Sequence, residues 1–310
     1  MHDNPDARTV CCIGGMTMDR TLRLLQPGVT GTSNPVATHR ARGGVARNVA
    51  ENLARLSVPC TLASVVGDDD AGRQILQDTA SHGVDTGLVQ KSLTAPTGSC
   101  TRAIQPDGGL FVSFADMDIC RLMDRGFIQN RWLQIANATL VFAETNLPAE
   151  SLSYLITGCR EHELTLVLDA VSISKAKNLP LRLHGVDMLF CNSDEARVML
   201  GDDIAKDTKD MATALCQRGA RSVVVTAGPD GISLSSSGEC VALPALPGPI
   251  VDVSGAGDAL IAGTLYGRLK DYDTVTSLRI GLKAAGMTIA CDEPGCPELS
   301  VDAVTEGLNL

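Results

Sequence analysis

Short runs rich in β-branched residues alternate along this chain with segments whose apolar residues return at helical spacing. Val10 to Ile13, Thr61 to Val66, Thr139 to Phe142, Leu164 to Leu168, Met188 to Phe190 and Ser222 to Thr226 read as strands. Val45 to Leu56, Ala71 to His82, Ala149 to His162, Asp194 to Leu200, Thr208 to Arg218, Ala256 to Leu269 and Val275 to Ala290 read as helices, the first with Val45, Val49, Leu53 and Leu56 on one stripe. This order predicts an α/β fold, a parallel or mostly parallel sheet covered by helices on both faces. Thr21 to Arg42 and Thr97 to Phe114 break the alternation: neither reads as helix, and Pro96-Thr97-Gly98 and Asp107-Gly108-Gly109 supply turns.

With 310 residues, 44% of them hydrophobic, the chain can bury a large core in one α/β domain or two smaller ones. A formal net charge of −10 argues against nucleic acid or an anionic membrane as partner, since either favours a basic face. No apolar run is long enough to span a bilayer, and Met1-His2-Asp3-Asn4-Pro5-Asp6 lacks the basic-then-apolar order of a secretory leader, so the expected location is the cytoplasm. The 11 cysteines include the adjacent Cys11 and Cys12 but no Cys-x-x-Cys pair. Buried reduced thiols are therefore expected, rather than a zinc cage or a disulfide framework.

Chemistry concentrates in Asp252-Val253-Ser254-Gly255-Ala256-Gly257-Asp258, which runs directly into a helix of small and apolar residues. Gly255 and Gly257 let main-chain N–H groups converge, and the helix adds the positive end of its dipole, so the turn suits an anion. Asp258 beside that anion is suited to take a proton from an attacking hydroxyl. An aspartate capping an ordinary helix is the alternative for the same residues. The second segment is Gly43-Gly44-Val45-Ala46-Arg47-Asn48-Val49-Ala50, with Gly67 following a further apolar stretch.

In their order and distance apart, the two segments resemble both signatures of the PfkB carbohydrate kinase family, also called ribokinase-like, and the resemblance covers essentially the whole chain. It implies a single α/β kinase domain over residues 1–310, with a small β lid formed near 20–42 and 97–115. It also implies ATP as phosphoryl donor, magnesium, and a sugar or nucleoside acceptor, and family members often pair through their lids as homodimers. Under it, Asp258 is the catalytic base and Gly255, Ala256 and Gly257 hold the transferred phosphoryl.

On the nucleotide side, Thr226-Ala227-Gly228-Pro229-Asp230-Gly231 looks like the family's second glycine turn, with Thr226, Gly228 and Gly231 meeting ATP phosphates. A plain hairpin turn has the same composition. Asn192-Ser193-Asp194-Glu195 resembles the family's Asn-x-x-Glu element, placing Glu195 toward a hydrated magnesium ion. An N-cap by Asn192 or Ser193 is its other reading, and Cys191 stands where the family often has proline. On the acceptor side, the resemblance assigns ribose hydroxyls to Asp19, Gly43, Gly44 and Asn48, and Asn146 follows a strand near the same place. Asp252 and Ser254 are candidates to hold potassium.

The run Gly-Gly-Val-Ala-Arg-Asn, with Ser33-Asn34-Pro35 and Asp116-Met117-Asp118-Ile119, is similar to the pseudouridine kinase branch, although Ala115 and Asp118 stand where that branch tends to carry asparagine. Arg47 has a second reading as a surface or interface cation, the commoner fate of a helix arginine. The implied reaction is ATP-dependent phosphorylation of a 5′-hydroxyl on a ribosyl compound, pseudouridine foremost. Other sugar or nucleoside kinases, or a ligand-binding regulator without turnover, stand as alternatives. A dehydrogenase-like Rossmann protein does not, since no Gly-x-Gly-x-x-Gly follows the first strand.

Overall fold

The computed structural model describes residues 8–201, 207–291 and 296–308; the opening segment read above for a leader lies outside them. The strands are β1 Val10–Ile13, β2 Thr17–Leu24, β3 Val36–Gly43, β4 Cys60–Ala63, β5 Val65–Gly67, β6 Gln90–Ser92, β7 Ser99–Ile104, β8 Leu110–Asp116, β9 Leu140–Glu144, β10 Thr165–Asp169, β11 Met188–Asn192, β12 Ser222–Thr226, β13 Ile232–Ser236 and β14 Glu239–Leu243. The helices are α1 Val45–Arg55, α2 Asp70–Ser81, α3 Arg125–Gln129, α4 Trp132–Ala136, α5 Ala149–Glu161, α6 Ser193–Leu200, α7 Thr208–Cys216, α8 Ala256–Leu269, α9 Thr274–Ile289 and α10 Val301–Thr305.

Eight strands form the central sheet in the order β14-β13-β12-β11-β10-β9-β1-β4. It is parallel from β4 to β12 and closes with the antiparallel pairs β12–β13 and β13–β14. Strand alternation covers both faces: Val10, Cys12, Phe142 and Phe190 share a core with residues of α1, α8 and α9, while Cys11, Ile13, Val141 and Leu189 share another with residues of α5, α6 and α7. The first strand lies between β9 and β4, so strand order reverses beside it. In such sheets the crevice at the carboxyl ends of the strands is where ligands bind.

Residues Thr61 to Val66 do not make the single strand expected. Buried Ser64 donates its hydroxyl to the Gly14 carbonyl at 2.6 Å, and the chain leaves the central sheet there, so that β5 pairs with β6 instead. The segments that broke the alternation form a separate four-stranded sheet, β3-β2-β7-β8, and Asp19 lies inside its strand β2 rather than in a loop after β1.

The buried helix α8 is apolar on every side and packs on α9 through glycine. A Cβ on Gly263 would come within 2.8 Å of the Gly281 Cα, and one on Gly267 within 2.7 Å of the Ser277 Cα. Ahead of α8, the Val251 and Asp252 N–H groups both donate to the Ile289 carbonyl near the end of α9, so this pair of helices fixes the approach to the glycine turn. No helix among the described residues is long and apolar enough to cross a membrane.

The expectation of reduced cysteines needs one correction. Cys291 and Cys296 are paired as a disulfide, their Cα atoms 5.6 Å apart, a span a bridge can close over so short a separation. Nine other cysteines are free, and six of these are buried.

Candidate active site

The carboxyl ends of β1, β9, β10, β11 and β12 deliver Gly14-Gly15, Glu144, Asp169, Asn192 and Thr226 to one edge of the sheet, and the first turns of α1 and α8 face the same edge. Gly255 caps α8 in the left-handed region, at φ 77°, and no side chain closes that end. The Ala256 N–H donates to the Val253 carbonyl at 3.4 Å, whereas the Gly257 and Asp258 N–H groups have no carbonyl partner within their own helix, and a Cβ on Gly257 would meet nothing within 4 Å, so the turn opens onto free space.

Asp258 does not cap its own helix. Its Oδ2 accepts from Asn48 Nδ2 at 2.6 Å, across 210 residues of sequence. Burial pushes its carboxyl up to about 7, against the pull of the Asn48 amide and the Arg47 guanidinium. Arg47, given a second reading as a surface or interface cation, is 3% exposed. It pairs with buried Glu51 one turn along α1 and donates to Asn48 Oδ1 from Nη2 at 2.8 Å. Asn48 therefore spends most of its hydrogen bonding on protein partners, leaving a single Nδ2 hydrogen for an acceptor hydroxyl.

The paired glycines also serve the protein's own atoms. A Cβ on Gly43 would run into the Asp19 carboxylate, and one on Gly44, where φ is 95°, into the Gly15 carbonyl. Asp19 Oδ1 accepts from the Cys100 amide at 3.0 Å, and burial raises its carboxyl above the ordinary range. Asn146 is buried, its Nδ2 donating to Glu144 Oε1 at 3.1 Å and its main-chain N–H to Glu144 Oε2 at 2.5 Å.

Glu144 is the residue that sequence reading passed over. Fully buried, it also accepts from the Gly15 amide at 2.5 Å, and it joins the loop after β1 to the loop after β9. Burial raises its carboxyl, and Asp169, likewise unread, is pushed well up by burial and then by Glu195, Asp258 and Glu144. The signal available was positional: each acid ends a strand directly after an apolar run, Leu140 to Ala143 and Leu166 to Leu168.

On the nucleotide side, Asn192 and Thr226 are register partners at the ends of β11 and β12. Asn192 and Glu195 form a reciprocal cap, with Asn192 Oδ1 accepting from the Glu195 amide at 2.9 Å and Glu195 accepting from the Asn192 amide and side chain at 2.8 Å each. The capping alternative for this pair is thus present, and burial raises the Glu195 carboxyl. The Gly228 to Gly231 turn joins the antiparallel β12 and β13; Gly228 faces open space, whereas a Cβ on Gly231 would collide with the Leu243 carbonyl. Asp252 Oδ1 accepts from the Ser254 amide at 2.8 Å, and Ser254 Oγ accepts from Arg102 Nη1 at 3.1 Å. With a guanidinium already on Ser254, these two side chains do not fit a potassium ion, and no step is derived through one.

This is the layout of an α/β enzyme that works on an anion at the carboxyl edge of its sheet. Residues 7–299 match the pfkB family carbohydrate kinase, and the chain belongs to that family. It is accordingly a phosphotransferase with an alcohol group as acceptor. The chain is 28% identical over 275 residues to the pseudouridine kinase of Escherichia coli (strain K12), covering 87% of this chain and 86% of that protein. A carbohydrate kinase from Agrobacterium tumefaciens superposes with a TM-score of 0.83 at 28% identity, over 96% of this chain and 95% of the other. The ribokinase of Arabidopsis thaliana, solved with ribose and ATP, superposes at 0.84 with 19% identity, over 98% and 99% of the two chains, which shows the ribokinase-like fold.

Proposed function

We propose that the protein transfers the γ-phosphoryl group of ATP to the 5′-hydroxyl of a ribosyl compound, pseudouridine foremost, giving the 5′-phosphate and ADP. The observation that carries this reading is the half-buried Asp258 carboxyl beside the open Gly255-Ala256-Gly257 turn, pushed up to about 7 and oriented by Asn48. The acceptor oxygen attacks phosphorus, the bond from the γ-phosphorus to the bridging oxygen of ADP breaks, and the hydroxyl proton passes to Asp258. Free amides at the start of α8 hold the charge on the moving phosphoryl.

In this reading the ribose lies between Asp19 in the small sheet and Asn146 with Glu144 at the end of β9. The β3-β2-β7-β8 sheet acts as the lid of a single domain. ATP phosphates lie along Asn192, Thr226, Gly228 and Gly231, a placement supported by the shared edge, and ATP as donor is supported by the ribokinase solved with it. Magnesium fits the donor set, because the buried Glu195 and the half-buried Asp169 are both raised by burial, and the Glu195 charge raises Asp169 further. They would hold it through water, and it would supply charge neutralisation to the phosphates.

The acceptor is read from the similarity to the pseudouridine kinase and from the Gly-Gly-Val-Ala-Arg-Asn run. Pseudouridine carries one ring N–H more than uridine, and a site built to accept from it leaves a buried acceptor unpaired when uridine binds. ATP turnover on pseudouridine, uridine, adenosine, ribose and fructose tests this. The expected result is a kcat/KM for pseudouridine at least about tenfold above uridine and ribose, the worth of one hydrogen bond. A best rate on ribose, fructose or adenosine overturns the choice of acceptor and leaves Asp258 as base.

A further inference from the structure

Asn48 has two faces of nearly the same shape, one accepting and one donating, and nothing in an amide itself decides which of them meets Asp258. Arg47 decides it. Its Nε and Nη2 donate to Asn48 Oδ1 at 3.3 and 2.8 Å, and a guanidinium has no acceptor with which to meet the NH2 face. Nδ2 is left pointing at Asp258 Oδ2, 2.6 Å away. The arginine is fixed in turn, because Nη1 donates to Glu51 Oε2 at 2.5 Å and Glu51 Oε1 also accepts from Arg55 at 2.6 Å. Arg47 and Glu51 are 3% and 1% exposed, so each holds the other's charge in a place water does not reach.

We propose that Arg47 is a positioning residue for the phosphoryl transfer: through Asn48 it fixes the rotamer of the Asp258 carboxylate and keeps a donor, not a carbonyl, against the base. The proposal rests on the reading of Asp258 as base. Its direction follows from the groups around that carboxyl. Burial and the Glu144 carboxyl at the end of β9 favour the protonated form, and Asp169 at the end of β10 is coupled to it in the same sense. Arg47 and the amide it locks, both from α1, are the groups that favour the ionised form.

Arg47→Lys tests this, since lysine keeps the charge opposite Glu51 but lacks the fork that grips Asn48. With the best acceptor of the panel above, the variant is expected to lose about tenfold or more in kcat at pH 7 while KM for ATP stays within about twofold. The acid limb of its kcat profile should move to higher pH by about half a unit or more. A ¹³C NMR titration of the Asp258 carboxyl, identified by its loss in Asp258→Asn, should move in the same direction without any substrate present. If Arg47→Lys does not fold, Arg47→Met with Glu51→Gln removes both buried charges together and carries the same expectations. A wild-type pH profile and an unmoved carboxyl titration overturn the proposal whatever happens to thermal stability. Near-normal kcat in Asp258→Asn instead overturns the base assignment, and the carboxyl titration still reads the coupling.

Discussion

A half-buried carboxylic acid met by one amide keeps its proton toward neutrality, and Asp258, pushed up to about 7 by burial, is half ionised where a base is most useful. Replacing it with asparagine preserves shape and removes basicity, so kcat is expected to fall by roughly two to four orders of magnitude with ATP affinity little changed. The same shift has a sign in stability. Between the ordinary carboxylate range and about 7 the folded protein holds a proton on Asp258 that the unfolded chain has lost. Its contribution is therefore complete at acid pH and is lost as pH rises through about 7, at about 1.4 kcal/mol per pH unit. Asp258→Asn should thus melt above the wild type at pH 8, with the gap closing toward pH 4; melts in which the wild type is the more stable at pH 8 contradict this. Asp258 was legible because glycines announce it. The alternative reading of Arg47 as a surface or interface cation falls, and the signal against it is that Arg47, Glu51 and Arg55 stand four residues apart, a ladder of alternating charge that can neutralise itself inside a helix.

At the level of elements, the alternation of strand and helix patterns was enough to find the six parallel strands of the central sheet, because each apolar strand is covered on both sides, but not the antiparallel β13 and β14 that close it. The break at Ser64 was not legible: a serine among apolar residues announces no departure from a sheet, and its partner, the Gly14 carbonyl, lies 50 residues away. Nor does periodicity name the partner of α8, which is apolar all round. The glycines that meet α9 name it only once the helices are crossed. Gly263→Ala sets a methyl against the Gly281 backbone, where no flexible side chain can yield. Urea denaturation should show a loss of about 1–3 kcal/mol, the usual cost of overpacking, and kcat should fall with it because α8 carries Asp258, the proposed base. An unchanged midpoint would mean that the two helices slide apart freely.

Over the whole molecule, the small sheet reaches the chemistry through few atoms. Arg102 in β7 donates to Ser254 beside the glycine turn, and its charge pulls Asp19 in β2 back toward the ionised form. Arg102→Ala should therefore raise the acceptor KM several-fold while moving the melting temperature little, since a partly exposed contact of this kind is worth only about 1 kcal/mol or less. Steady-state kinetics beside a thermal melt separates the two, and a large drop in melting temperature with unchanged KM would make Arg102 a structural tie.

Asn48 and Asp258 meet across 210 residues, and the strand that opens the sheet waits between β4 and β9 for neighbours encoded much later. On the ribosome the Gly43-Gly44 pair and all eight strands of the central sheet therefore precede the helix that bears Asp258. A chain stopped before α8 also lacks the cover of one face of that sheet, which α8 and α9 share with α1. In the proposed reading the base rides on a helix that completes the core, so the chain gains its chemistry only as it gains its stability.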